Sequence, residues 1–149
     1  IWLASSEQLL GLLILKDPIR EESVTAIKSL HNLGIKVVMC TGDNQHTAAA
    51  VGQSLGIDEI HSDLLPEQKL QIISQLQQQG YRVGMVGDGV NDAPALAQAD
   101  TGFAIGSGTD IAIENADITL AGDSLHSVTA AVEISSATLT NIKQNLLGA

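Results

Sequence analysis

Cysteine is nearly absent: Cys40 stands alone in 149 residues. No intramolecular disulfide and no thiolate metal cluster can therefore form, which suits a reducing compartment without requiring one. Aromatic residues make up 2% of the chain, so its core must be built from Ile, Leu, Val and Ala. Bases are scarce too, with seven Lys and Arg against seventeen acids and a formal charge of −10. That balance, with no basic stripe interrupting it, argues against a nucleic-acid partner. It also repels a nucleotide triphosphate unless a cation mediates locally. No stretch approaches the ~20 apolar residues that cross a bilayer, and no signal peptide is visible. What is present is enough apolar content, 44%, for one core in one domain. The chain begins at Ile1 rather than Met and stops at Ala149 inside a helical pattern. It reads as a piece of something longer.

Apolar runs alternate with helical periods. Gly11 to Leu15 reads as a buried strand ended by Lys16-Asp17-Pro18. Arg20-Glu21-Glu22 opens a helix whose Val24, Ile27, Leu30 and Leu33 share a face, and Gly34 closes it. Lys36 to Cys40 is a second strand, followed by the loop Thr41-Gly42-Asp43 and a helix that Gly56 stops. Pro66-Glu67 starts another helix, with Leu70, Ile73 and Leu76 on one side and Gly80 at its end. Arg82 to Val86 is a third strand, and Thr101–Ile105 and Asp117–Leu120 are shorter candidates. Such alternation predicts parallel pairing through right-handed crossovers, an α/β layered fold of Rossmann-like type. Ligands bind outside the carboxyl ends of such strands. Asp17, Thr41 and Asp88 each follow a strand and are expected on that edge. From Leu125 to Leu146 the apolar residues step by three, four or seven, a narrow seam on one long helix.

The loop Gly87-Asp88-Gly89-Val90-Asn91-Asp92 carries the strongest chemical signal. Its glycines let the backbone turn, and two carboxylates suit Mg²⁺, which takes one or two of them with phosphate and water. Asn91 adds a neutral group able to meet a phosphate oxygen. Counted from Asp88, Val90, Ala93 and Ala99 occupy positions that a calcium-binding EF-hand loop cannot tolerate. No Gly-Lys-Ser/Thr string exists, and Ile111 stands where a dinucleotide fingerprint needs its third glycine. Thr41, read alone, is either a phosphate-binding hydroxyl or a cap for the following turn. Lys69, read alone, is a solvated lysine, but phosphate chemistry needs a cation and the chain offers few. His31, His46, His61 and His126 lack ligand spacing and read as surface or packing residues. Met39 and Cys40, on opposite faces of a strand, read as core.

Taken in order, these segments resemble the phosphorylation domain of P-type cation-transporting ATPases, of the haloacid-dehalogenase superfamily. The matching stretches are Asp17-Pro18-Ile19-Arg20, Thr41-Gly42-Asp43-Asn44, Leu65-Pro66-Glu67-Gln68-Lys69, Gly87 to Leu96, and Gly106 to Leu120 with Thr109-Asp110-Ile111-Ala112. They cover essentially the whole chain. The set looks most like the heavy-metal branch, and the ending Lys143 to Ala149 resembles the approach to a membrane helix in copper(I)/silver exporters. The resemblance implies that Asp88 ligates Mg²⁺ with support from Asp92. It implies that Thr41, Gly42 and Asn91 hold phosphoryl oxygens, that Lys69 neutralises developing charge, and that Asp17, Arg20 and Asp43 lie toward the nucleotide and hinge side. ATP would be the substrate of the parent protein, and the setting the cytoplasmic side of an inner-membrane protein. The family's nucleophile string, Asp-Lys-Thr-Gly-Thr, does not occur here.

On this resemblance residues 1–10 end a nucleotide-binding domain or form a hinge strand. Residues 11–123 are the distal phosphorylation domain, and 124–149 form a helix leading toward a transmembrane segment. The partners implied are the missing nucleophile segment, the nucleotide-binding domain and the membrane helices of the same parent, with the transported ion bound elsewhere. The fragment alone is expected to be inactive. In the family the nucleophile strand lies between the strands ending at Cys40 and Val86. Without it the sheet is expected to have a gap, to pair those two strands directly, or to hold a segment of another chain. The alternatives are a piece of a soluble phosphatase of the same superfamily, against which the Asp17 and Gly106–Leu120 segments count, and a non-catalytic binding module.

Overall fold

A computed structural model describes residues 2–5, 8–12, 19–88, 90–106 and 113–148. The strands are β1 (Trp2–Ala4), β2 (Leu9–Leu12), β3 (Val38–Cys40), β4 (Glu59–His61), β5 (Gly84–Gly87), β6 (Thr101–Ala104) and β7 (Ile118–Thr119). The helices are α1 (Glu21–Asn32), α2 (Gln45–Leu55), α3 (Pro66–Gln78), α4 (Ala93–Gln98) and α5 (His126–Leu147), with a 3-10 turn at Val90–Asp92. The alternation expected from the sequence is present. β3 pairs with β4 in parallel, and β5, β6 and β7 form a second parallel group in that order. Direct pairing of β3 with β5, one of the three expected closures, does not occur among the described residues.

Helix ends follow local chemistry. Asn44 caps α2 by accepting the Thr47 amide at 3.0 Å, which leaves Thr41 free of that duty. Gly56 ends the same helix at φ 73°, in the left-handed region that glycine enters without steric cost. Pro66 sits at the first turn of α3, and the Gln68 side chain accepts the Leu65 amide at 2.7 Å.

Two readings of the sequence need correction. The strand expected at Gly11–Leu15 is Leu9–Leu12 within the described residues, and it runs antiparallel to β1 in a separate sheet. Ser5 to Gln8 turns the chain back in too few residues for a parallel crossover, and the Ser5 amide donates to the Gln8 carbonyl at 2.9 Å. The strand before Asp17 is therefore no member of the parallel sheets, and Asp17 itself lies outside the described residues. The second correction is an addition. β4 and α4 went unread because Glu59-Ile60-His61 is short and polar at both ends, and α4 is compressed behind Pro94.

Small residues set the closest packing. Ala95 and Leu96 of α4 are fully buried against β6, where Gly102, Phe103 and Ala104 are also buried. A Cβ on Gly102 would stand 2.8 Å from the Leu96 carbonyl oxygen and 3.4 Å from the Ala116 Cα, both backbone atoms that cannot rotate away. Gly102→Ala is accordingly expected to destabilise the fold by ~1–3 kcal/mol, as overpacked cores do. A urea titration checks it, and an unchanged midpoint would contradict this packing.

Asp100 closes the base of the second sheet. Its carboxylate accepts the Val83 amide at 3.0 Å, Gln77 Nε2 at 3.1 Å and Arg82 Nη1 at 2.9 Å. The Val83 amide first, then Gln77 and Arg82, hold its pKa at about 2. A carboxylate depressed on folding stabilises the native state above its unfolded pKa, and that contribution fades as pH falls through the folded value. Stability should therefore decline between about pH 4 and pH 2, and Asp100→Asn should flatten this decline in denaturation midpoints measured across that window.

Candidate functional site

Three connections bring chemistry to the carboxyl edge of the parallel strands. The loop after β3 holds Thr41, Gly42 and Asp43. The first turn of α3 holds Lys69. The segment after β5 holds Asp88, Asn91 and Asp92.

The Thr41 loop is tied on several sides. The Thr41 amide donates to the His61 carbonyl at 2.9 Å, and the Leu64 amide to the Thr41 carbonyl at 3.1 Å. The Asp63 amide donates to the Asp43 carbonyl at 2.8 Å, and the Asp63 carboxylate accepts the Gln45 amide at 3.1 Å. Asp63 adopts φ 55°, a left-handed conformation that Asp enters more readily than most residues, and it fastens the loop after β4 to this one. The Thr41 hydroxyl donates to Asp43 Oδ2 and accepts the Asp43 amide, each at 3.1 Å. Gly42 is exposed, and its amide bonds no described residue. A preformed loop with an outward amide beside a hydroxyl suits an anion's oxygens.

Lys69 and Asp92 form the least exposed ion pair among the described residues. Nζ lies 2.8 Å from Oδ1, with the side chains 17% and 14% exposed. A lysine in the first turn of a helix sits at the positive end of the dipole, a placement disfavoured by ~0.3–1 kcal/mol without a compensating anion. Asp92 is that anion. Gly87 makes room for it, since a Cβ there would stand 2.8 Å from the Asp92 Cβ. The pair also borders the end of β3. Burial pushes the Cys40 thiol pKa up, and the Lys69 ammonium pulls the other way.

Asp88 is exposed directly after β5, and no described residue bonds its carboxylate. Asn91 is exposed as well. An exposed, unengaged carboxylate beside a second one fits a hard cation that keeps water and phosphate in its shell. Among the described residues no group of three or more His, Cys, Asp or Glu side chains gathers to hold a metal, and Mg²⁺ does not require one.

Arg20 stands elsewhere. It pairs with Asp123 at 2.6 Å and Glu22 at 3.6 Å, and Thr25 Oγ1 lies 2.9 Å from His126 Nε2, so α1 is fastened to the start of α5. The residues missed by sequence reasoning are Asp63 and Asp123. Neither has a spacing that marks it, and the scarcity of bases pointed only to Lys69. His31 and His61 serve as packing partners, 2.9 Å from Asp58 and 2.8 Å from Glu59.

The first turns of α5 are covered, with Val128 5% exposed, whereas Leu139, Ile142 and Leu146 are open to solvent. Among the described residues no helix is long and apolar enough to cross a membrane.

Comparison with known proteins gives a consistent picture. A family model described as haloacid dehalogenase-like hydrolase matches residues 1–100. Over its whole length the chain is 50% identical to copper-transporting ATPase 2 of Rhizobium meliloti, of which it covers 18%. It is also 50% identical to a probable copper-importing P-type ATPase A of Enterococcus hirae, of which it covers 21%. The solved structure of a zinc-transporting PIB-type ATPase superposes with a TM-score of 0.85 at 42% identity, over 94% of this chain and 23% of that one. The chain thus spans about a fifth of the relatives it matches. It belongs to the haloacid dehalogenase-like hydrolases, and within them it is similar to one segment of heavy-metal-transporting P-type ATPases.

Proposed function

We propose that this chain is the distal part of the phosphorylation domain of an ATP-driven heavy-metal transporter, with copper(I) as cargo. It supplies the magnesium and phosphate groups of an aspartyl-phosphate site. The observation that carries this reading is the meeting of the Thr41 loop, the Lys69–Asp92 pair and Asp88 around one sheet edge.

Asp88 is the Mg²⁺ ligand, with Asp92 beside it, and Mg²⁺ bound there offsets charge on the transferring phosphoryl group. The Thr41 hydroxyl, the Gly42 amide and Asn91 orient the phosphoryl oxygens. Asp43 holds the Thr41 hydroxyl in place. Lys69, fixed by Asp92, contributes positive charge where negative charge develops. Asp17 and Arg20 belong to the hinge toward a nucleotide-binding domain, which residues 1–10 adjoin. Residues 124–149 carry the fold toward the membrane helices, and their uncovered apolar seam supports that role. The domain works on the cytoplasmic side of the membrane. ATP donates its γ-phosphoryl to an aspartate of the parent outside this chain, and water later hydrolyses the acyl phosphate.

Copper is favoured by the curated relatives, while the zinc-transporting neighbour shares the same scaffold, so the ion is chosen outside this segment. Two measurements test the proposal. The purified 149-residue chain should show no Mg²⁺-dependent ATP hydrolysis, and robust turnover by it would overturn the assignment in favour of a self-sufficient phosphatase. ATP hydrolysis by the complete protein should rise with Cu(I) more than with Zn(II), and the reverse order would make zinc the cargo.

A further inference from the structure

The direction of each backbone group along β3 and β5 can be worked out from the ladders. The Val37 carbonyl accepts the Asp58 amide, and the Thr41 amide donates to the His61 carbonyl. Odd-numbered residues of β3 therefore point their amides and carbonyls at β4. Because successive residues alternate, Val38 and Cys40 point theirs the opposite way. In β5 the Val83 and Gly87 carbonyls accept from the β6 side, namely the Asp100 and Ile105 amides. Gly84 and Val86 therefore point away from β6. No described strand pairs with either of these inner edges.

The two edges belong to one site. The carboxyl end of β3 senses both Lys69 and Asp92 at Cys40, and Asp92 follows β5 by a single short turn. Both strands thus run toward the same place.

We propose that these edges together form an acceptor for one extended, parallel segment from outside this chain, so that the chain is the larger half of a split domain and takes up the missing strand in trans. The inference rests on the function proposed above, which supplies a parent with most of its length outside this chain. A second copy does not fit. Every described strand is already paired along one edge, so none can bond β3 and β5 at once. The occupant must have both edges free. It must also be apolar on both faces, as strands inside parallel sheets are, matching Val38-Met39-Cys40 and Met85-Val86. Its carboxyl end emerges between Thr41 and Asp88, where an aspartate would meet the groups described above.

The test uses the whole chain and a synthetic peptide of five alternating Val and Ile residues followed by Asp-Lys-Thr-Gly-Thr, without ATP or Mg²⁺. Amide hydrogen exchange should slow at Val38, Cys40, Gly84 and Val86 on saturation at one peptide per chain, while Met39 and Met85, already in ladders, change little. Peptides N-methylated at alternate residues lose the bonds to one edge or to the other. Each should bind at least about tenfold more weakly, since each forfeits at least two hydrogen bonds. Absence of protection, equal binding of both methylated peptides and the parent peptide, or protection that grows with protein concentration alone would overturn the proposal. A negative result would leave the Mg²⁺ and phosphate assignment standing, because that rests on side chains the peptide assay does not read.

Discussion

Asp88→Asn in the complete protein is expected to lower ATP turnover by about 10²–10³-fold or more, the scale on which a removed electrostatic group at a reacting centre is felt. The substitution keeps size and polarity and removes one negative charge from an exposed carboxylate that no described residue engages. Folding should therefore be untouched, with the denaturation midpoint within about 0.5 kcal/mol of the parent, as for surface changes generally. The loss should follow Mg²⁺ concentration, with the variant needing far more of the ion for residual turnover. Turnover preserved at ordinary Mg²⁺ would remove Asp88 from the metal site. Asp92→Asn should behave differently, since Asp92 is engaged by Lys69 and its loss disturbs that lysine as well as any ion.

Lys69→Ala is expected to damage both stability and turnover. Removing one partner of a largely buried pair leaves the other charge poorly solvated. At 14% exposure for Asp92 the cost falls between those of surface and fully buried pairs, ~1–3 kcal/mol. Turnover in the complete protein should fall by about 10²-fold or more through loss of charge beside the phosphoryl group. Two companions separate the effects. Lys69→Arg keeps the charge and should recover most of the stability but only part of the turnover, because the guanidinium is longer and planar. A Lys69→Met, Asp92→Leu double replacement should recover stability without activity, as apolar exchanges of buried pairs do. If Lys69→Ala turned over normally, the pair would be a structural strut between α3 and the turn after β5.

The helix stops were legible because glycine leaves so few alternatives. Gly34, Gly56 and Gly80 all sit at positive φ where the apolar period of a helix ends. The strands ending at Cys40 and Gly87 were legible as apolar runs, and with them the edge on which Thr41 and Asp88 lie. β4 was not, because three residues with Glu and His at the ends carry no period. The antiparallel β1–β2 hairpin was hidden for a related reason. A run such as Gly11 to Leu15 states that a strand is apolar, not which neighbour it meets. The residue types of the candidate site were readable, but its contacts were not. Lys69 and Asp92 are joined only by the crossover that brings α3 beside the turn after β5, and Asp63 acts through a backbone angle that no motif records.

The most direct measurement is amide exchange on the complete protein with Mg²⁺ and beryllium fluoride, a stand-in for the phosphoryl group. Protection is expected at Thr41, Gly42 and Asp43 and across Asp88 to Asp92, only when both ligands are present, and it should vanish in Asp88→Asn. Protection confined to other segments, or unchanged by Asp88→Asn, would contradict the assignment of the magnesium and phosphate site to this edge.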